Sequence, residues 1–320
     1  MNQVLEQIQK LGIVPVVVLN DVCEAEPVAR ALCAGGLPVA EVTFRTDAAE
    51  ESIRVMTQKF PQMLVGAGTV LTIEQVDRAV NAGAKFIVSP GFNPKVVQYC
   101  LDNNIPVCPG CSTPSDMEKA LEMGLDTVKF FPAEQSGGIN AIKAMAAPYV
   151  NLKFMPTGGI NAKNINDYLA FDRIIACGGS WMVSGSLVKN KEFDKIEELT
   201  REAVMTVHGF NLKHVGINCE GEDEANATAG YFEKLFGFTT RSSDLSIFAG
   251  SYIEAMKKPY FGSKGHIAIG CNNVERAVAY LDVLGIKADM STAQYDDKKK
   301  LKVVYLTGEV SGFAVHLAQK

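Results

Sequence analysis

The run Asp126-Thr-Val-Lys-Phe-Phe-Pro132 reads as a short buried strand with one foreign residue in it, Lys129. An ammonium group is almost never buried without a partner. Desolvation moves an amine toward its free base. A neutral amine at a strand end can attack a carbonyl and form a Schiff base. The alternative is a lysine that snorkels to solvent or pairs with a carboxylate. The neighbourhood bears on the choice. Residues 113–123 just before the run are amphipathic at helical spacing. They open on Thr113-Pro-Ser-Asp116, a cap residue ahead of a first-turn proline. Gly124 follows, where a helix end wants a left-handed residue.

This strand is one of eight. Apolar runs recur at residues 13–19, 39–44, 64–70, 86–90, 106–111, 127–132, 153–158 and 173–178. Between them lie amphipathic segments such as 24–34, 72–82 and 93–103, closed by Gly35-Gly36 and Gly83. Eight strand–helix repeats over the first two thirds of the chain describe an α/β (β/α)8 TIM barrel. A doubly wound open sheet is the other architecture with this alternation. Residues 192–207 read as the eighth helix. The pattern changes near Gly209, which divides the chain into a barrel at 1–208 and a smaller domain at 209–320. In that domain a strand, a helix and short strands occur twice, with strands at 212–219, 246–249, 251–256, 265–271, 302–307 and 312–318. The order predicts an α+β domain of two βαβββ units.

The composition is that of a soluble globular protein, with a net charge of −5. It gives no reason to expect nucleic acid or membrane as a partner. The N-terminus has the form of an amphipathic helix rather than a signal peptide, which points to the cytoplasm. The eight cysteines mostly sit singly in apolar segments, as reduced thiols do. Cys108-Pro-Gly-Cys111 is the exception, but no second such pair follows, and it does not open a helix after a strand. We read it as two structural thiols.

Barrel enzymes carry their chemistry at the C-terminal ends of strands. In Val39-Ala-Glu-Val-Thr-Phe-Arg45, alternation puts Glu41, Thr43 and Arg45 on one face. Thr127, Lys129 and Phe131 share a face of the sixth strand. A carboxylate, a guanidinium and an amine aimed into one mouth suggest a reaction site; a structural ion-pair cluster is the alternative. The last two strands end in Pro156-Thr-Gly-Gly159 and Cys177-Gly-Gly-Ser180. Glycine lets backbone N–H groups approach an anion, so two such pairs point to phosphate.

Six segments then resemble the 2-keto-3-deoxy-6-phosphogluconate / 4-hydroxy-2-oxoglutarate aldolase family over residues 1–207. They are Glu41-Val-Thr-Phe-Arg-Thr46, Val65-Gly-Ala-Gly-Thr-Val70, Ser89-Pro-Gly91, Lys129-Phe-Phe-Pro-Ala-Glu134, Pro156-Thr-Gly-Gly-Ile160 and Gly178-Gly-Ser-Trp181. The resemblance implies a class I aldolase without cofactor, usually a homotrimer. Such an enzyme would cleave a phosphorylated keto-deoxy sugar acid to pyruvate and glyceraldehyde 3-phosphate, and 4-hydroxy-2-oxoglutarate to pyruvate and glyoxylate. The galactonate epimer is an alternative substrate. Lys129 matches the family's Schiff-base lysine and Glu41 its acid/base carboxylate. Arg45 and Thr69 match residues at the pyruvyl carboxylate, and Pro90 and Phe131 match residues that line the pocket. Thr157, Gly158, Gly159, Gly179 and Ser180 match phosphate-binding positions. The two cysteines around Pro109-Gly110 depart from the aliphatic residues usual there.

Three of the four histidines lie in strand patterns of the second domain: His214, His266 and His316. With Glu254 they form a set able to bind Zn²⁺, Ni²⁺, Mn²⁺ or Fe²⁺. Residues 211–320 resemble the vicinal oxygen chelate (glyoxalase-like) family, whose ligands come from the first and last strands of each unit. Those four residues match these positions, although the final ligand is usually glutamate rather than His316. The resemblance implies a divalent metal and a second, metal-dependent activity. A metal-free domain used for packing or association is the alternative. Glu220-Gly-Glu-Asp-Glu224 reads as a solvated helix start, and Asp296-Asp-Lys-Lys-Lys300 as a surface loop.

Overall fold

In a computed structural model, which describes residues 2–320, the chain divides into two compact units, Met1–Val207 and His208–Lys320. The first holds strands β1 (Ile13–Val17), β2 (Val39–Thr43), β3 (Leu64–Gly68) and β4 (Ile87–Val88), then β5 (Val107–Cys108), β6 (Thr127–Phe130), β7 (Lys153–Pro156) and β8 (Cys177–Gly179). All pair in parallel. The order β5-β4-β3-β2-β1-β8 forms one sheet and β6-β7 a second. Single bridges, Gly110 to Lys129 and Thr157 to Gly178, carry the pairing between them. This is a TIM-like α/β fold.

Local chemistry starts and stops its helices. Thr72, Asn93 and Thr113 accept a backbone N–H at three helix starts, and Thr113 forms a capping box with Asp116. Gly36, Gly83 and Gly124 have positive φ just past helix ends, a conformation that glycine adopts without a Cβ clash. The interior is packed with large side chains. A Cβ on Gly66 would lie 2.3 Å from the Phe86 ring, so the glycine of β3 makes room for that phenyl. Two expected strands shrink to a pair of residues each, β4 and β5. The second strand ends at Thr43, so Arg45 lies in the turn beyond it and is exposed.

The second unit has β9 (Asn211–Asn218), a helix over Glu222–Phe236, β10 (Thr240–Ser242), β11 (Ser246–Ala249) and β12 (Ile253–Met256). The same order follows: β13 (Gly265–Cys271), a helix over Val274–Val283, β14 (Ala288–Tyr295), β15 (Leu301–Val310) and β16 (Phe313–Gln319). The eight strands form one sheet, β10-β11-β12-β9-β13-β16-β15-β14. Antiparallel β9 and β13 join the two halves. Each half has its own core, Cys219, Ala225, Ala229 and Ala255 in one and Cys271, Val274, Ala277 and Leu317 in the other. The sequence reading omits β14. Residues 251 and 252, expected in the third strand, lie in the turn before β12.

Candidate functional site

Lys129 and Glu41 meet inside the first unit. Lys129 is 5% exposed and Glu41 1% exposed. Lys129 Nζ donates to Glu41 Oε1 at 3.2 Å. The other carboxylate oxygen, Oε2, is buried without a hydrogen-bond partner. A Cβ on Gly68 would lie 2.2 Å from Glu41 Oε1, so the absence of a side chain there leaves room for the carboxylate. The Phe131 ring flanks the amine, its centroid 5.5 Å from Nζ.

The other barrel residues lie at or just past strand ends. Arg45 Nε donates to Thr69 Oγ1 at 3.4 Å, a long bond. Thr43, expected to face the site, donates instead to the carbonyl of Val17 at 3.1 Å. The Pro90 carbonyl lies against Gly110, where a Cβ would come within 2.0 Å of it, and Gly110 bridges to Lys129. Thr157 extends β7, its N–H bonded to Phe130 O at 2.9 Å, and its hydroxyl is buried without a partner. Gly158 and Gly159 have φ of +107° and +78°. Glycine adopts this left-handed backbone without a Cβ clash. Gly178 and Gly179 have a different reason to be glycine. A Cβ would meet Thr157 Oγ1 at 2.3 Å in one case and the Trp181 ring at 2.0 Å in the other. Ser180 follows, exposed. Cys108 and Cys111 are buried free thiols. Burial pushes Cys111 up to about 12 and Cys108 higher still, which removes the thiolate that redox or metal chemistry needs.

A second cluster lies in the other unit. Ligand atoms of His214, His266 and His316 lie within 4.8 Å of one another. Glu254 Oε2 is 3.1 Å from both His214 Nε2 and His266 Nε2. Burial raises the Glu254 carboxyl, but bonds from His214, His266 and Ser246 outweigh it and hold the group well below the usual range. Ser246 Oγ donates to Glu254 Oε1 at 2.7 Å. Both ring nitrogens of His316 are buried without a partner. Burial, helped by His266 and His214, pushes its imidazole down to about 3, so it is neutral and able to accept a cation. Donor atoms around a tetrahedral ion held at about 2.0–2.2 Å stand roughly 3.3–3.6 Å apart. The observed separations bracket that range, so the donor set fits a divalent metal. Sequence reading missed Tyr305, which stacks on His316 at 4.7 Å between centroids, and Phe248, edge-on to His214 at 5.4 Å. Strand alternation carries the signal for Tyr305 only once the pairing of β15 with β16 is known.

Residues 4–199 match the family model described as "Aldolase: KDPG and KHG aldolase". The chain is 50% identical over 203 residues to the 2-dehydro-3-deoxy-phosphogluconate aldolase of Haemophilus influenzae, covering 63% of this chain and 96% of that one. It is 42% identical over 192 residues to the KHG/KDPG aldolase of Escherichia coli K12, covering 60% and 90%. A solved structure of KDPG aldolase from Legionella pneumophila, with pyruvate captured as a covalent carbinolamine intermediate, aligns at a TM-score of 0.61 and 38% identity. That alignment covers 63% of this chain and 98% of that one.

Proposed function

The chain belongs to the KDPG and KHG aldolase family, and from that premise we propose how its own residues carry the reaction. The first unit, a (β/α)8 barrel, is a carbon–carbon lyase, a class I aldolase. It cleaves 2-keto-3-deoxy-6-phosphogluconate to pyruvate and glyceraldehyde 3-phosphate, and 4-hydroxy-2-oxoglutarate to pyruvate and glyoxylate. The observation that carries the assignment of roles is the buried contact between Lys129 Nζ and Glu41 Oε1 at 3.2 Å.

Glu41 takes a proton from the Lys129 ammonium, and the free amine attacks the C2 ketone. Glu41 returns a proton to the carbinolamine hydroxyl, which leaves as water and gives an iminium. Glu41 then removes the C4 hydroxyl proton. The C3–C4 bond breaks, its electrons pass to the iminium, and the aldehyde departs. The enamine left behind takes a proton at C3, and water releases pyruvate from the lysine. One carboxylate acts as base and acid in turn. Its unpartnered Oε2 is the oxygen free to meet a substrate hydroxyl. Arg45, with Thr69, grips the pyruvyl carboxylate and fixes which end meets the lysine. Pro90 and Phe131 wall the pocket, and Thr157, Gly158, Gly159, Gly179 and Ser180 hold the phosphate. Assembly as a homotrimer and a cytoplasmic setting belong to the same reading, the latter supported by eight cysteines that are all free thiols.

Pyruvate with borohydride tests the roles. One covalent label per chain, located on Lys129 by peptide mapping, is expected. Labelling that persists in Lys129→Ala would move the Schiff base elsewhere.

We read the second unit as a vicinal oxygen chelate domain. Its support is the repeated βαβββ order and the meeting of the three histidines and Glu254. His214, Glu254, His266 and His316 would hold a divalent ion, which supplies a Lewis acid for a bound oxygen. Metal content of untagged protein tests this. One equivalent of a divalent metal lost in His316→Ala is expected, with aldolase activity unchanged. Untagged protein free of metal that also takes up none from added Zn²⁺ would leave the cluster a packing device.

A further inference from the structure

We propose that the histidine cluster of the second unit takes a small oxo acid whose second anionic group is held by Arg241. The inference rests on the metal reading of that cluster. Strand register carries it. Arg241 on β10 pairs with Phe248, Phe248 with Glu254, Glu254 with Gly216, and Gly216 with His266. Side chains in one cross-strand row share a face of the sheet. His214 is two residues from Gly216, and His316 pairs with Ala268, two residues from His266, so both lie on that face too. Arg241 is therefore a cation on the face that carries the cluster.

Its position is specific. The guanidinium carbon lies 5.5 Å from the Phe248 ring centroid, and that ring meets His214 edge-on at 5.4 Å. Among the described residues no carboxylate forms an ion pair with Arg241. Its donor fork is left for a ligand or for solvent. Neighbouring strands are about 4.8 Å apart, so Arg241 and Glu254 are separated by roughly 10 Å at the backbone. A ligand whose only charged group binds the metal would not span that gap to Arg241. It suits a molecule with a chelating 2-oxo acid at one end and a carboxylate several bonds away. The Phe248 ring would lie beneath the carbons between them. Tyr305, stacked on His316, walls the opposite flank.

The test uses the full chain loaded with Co²⁺. A visible band that disappears in His316→Ala reports this cluster alone, because Lys129 chemistry in the barrel leaves the metal spectrum untouched. Titration with 2-oxoglutarate and with pyruvate compares ligands with and without the distal carboxylate. We expect 2-oxoglutarate to shift the band at concentrations roughly tenfold or more below pyruvate, the scale of one charge-assisted hydrogen bond. Arg241→Gln should erase that difference while leaving Co²⁺ uptake and the pyruvate response as they were. Arg241→Lys should restore part of it. Failure of the cluster to take up Co²⁺ would overturn the metal reading and this ligand with it. Normal uptake with an unaltered 2-oxoglutarate titration in Arg241→Gln would overturn the ligand alone.

Discussion

Lys129 Nζ donates to Glu41 Oε1 at 3.2 Å, joining β6 to β2, strands that are not neighbours in either sheet. The pair spans the interior instead of running along one strand edge. Both groups are buried, so each is the other's main compensation for lost water. The contact gives the amine a proton acceptor, and it also makes each residue structural. Removing one partner leaves a buried charge, so activity and stability fall together and must be measured apart.

Glu41→Gln keeps the shape and removes the charge. Turnover of the phosphorylated substrate should fall roughly 100-fold or more, the scale of a lost general acid/base. Pyruvate should still bind. Stability should fall as well, because Lys129 loses its counter-charge, by an amount on the order of 3 kcal/mol. Steady-state kinetics beside a urea melt separate the two effects. Near-native kcat in a folded variant would assign the proton transfers to another group.

Gly68→Ala tests the support of Glu41 without touching either charge. The new methyl would start 2.2 Å from Oε1 and 2.6 Å from Cγ of a side chain that is itself 1% exposed. The carboxylate must move, and kcat should drop about tenfold or more, with roughly 1–3 kcal/mol of overpacking. Gly66→Ala is the control, since the atoms its methyl would meet first, at 2.3 Å, belong to the Phe86 ring. It should lose comparable stability with a smaller loss of kcat. Equal kcat in the two variants would show that Gly68 does not position the carboxylate.

Ser180→Asp places a negative charge at the end of β8, beside the turn that follows β7. Like charges should repel the phosphate. The expected result is a rise in KM for the phosphorylated substrate of about tenfold or more, on the scale of one charge-assisted bond replaced by repulsion. Cleavage of 4-hydroxy-2-oxoglutarate should change little. An equal loss on both substrates would place Ser180 away from the phosphate.

Strand–helix alternation made the first unit's architecture readable, because each buried strand is short, apolar and bounded by capped helices. Lys129 stood out for the same reason: a charge inside such a strand is conspicuous. Gly68 did not, since its importance is the volume it leaves for a residue on another strand. β14 escaped because Ala288–Tyr295 is an edge strand bulged against β15, and its apolar–polar alternation slips at Ser291-Thr292, leaving two runs too short to read as a strand. Arg45 was placed on β2 by extending that alternation two residues too far. The four residues of the second cluster were legible through the internal repeat. Tyr305, Phe248 and Arg241 were not, because they enter by cross-strand register, which no single strand records.

His208 gives the second unit a pH dependence that needs no metal. Its ring is buried, stacks on Phe210 at 5.1 Å and packs against Tyr280 at 4.7 Å. Nδ1 has no partner. Burial, with a smaller contribution from Arg276, pushes the imidazole down to about 4 from 6.5. The sign follows from proton uptake. Between these values the unfolded chain binds a proton that the folded one does not. The stabilisation is complete above pH 6.5 and is lost as pH falls toward 4, by up to ~3 kcal/mol. His208→Phe keeps an aromatic ring in the stack and removes the titration. Urea midpoints at pH 7 and pH 5 in chelator should therefore differ less in the variant than in the native chain. Since His316 is also held low, part of the native slope should persist. A variant with the full native slope would show that His208 takes up its proton equally well in the folded state.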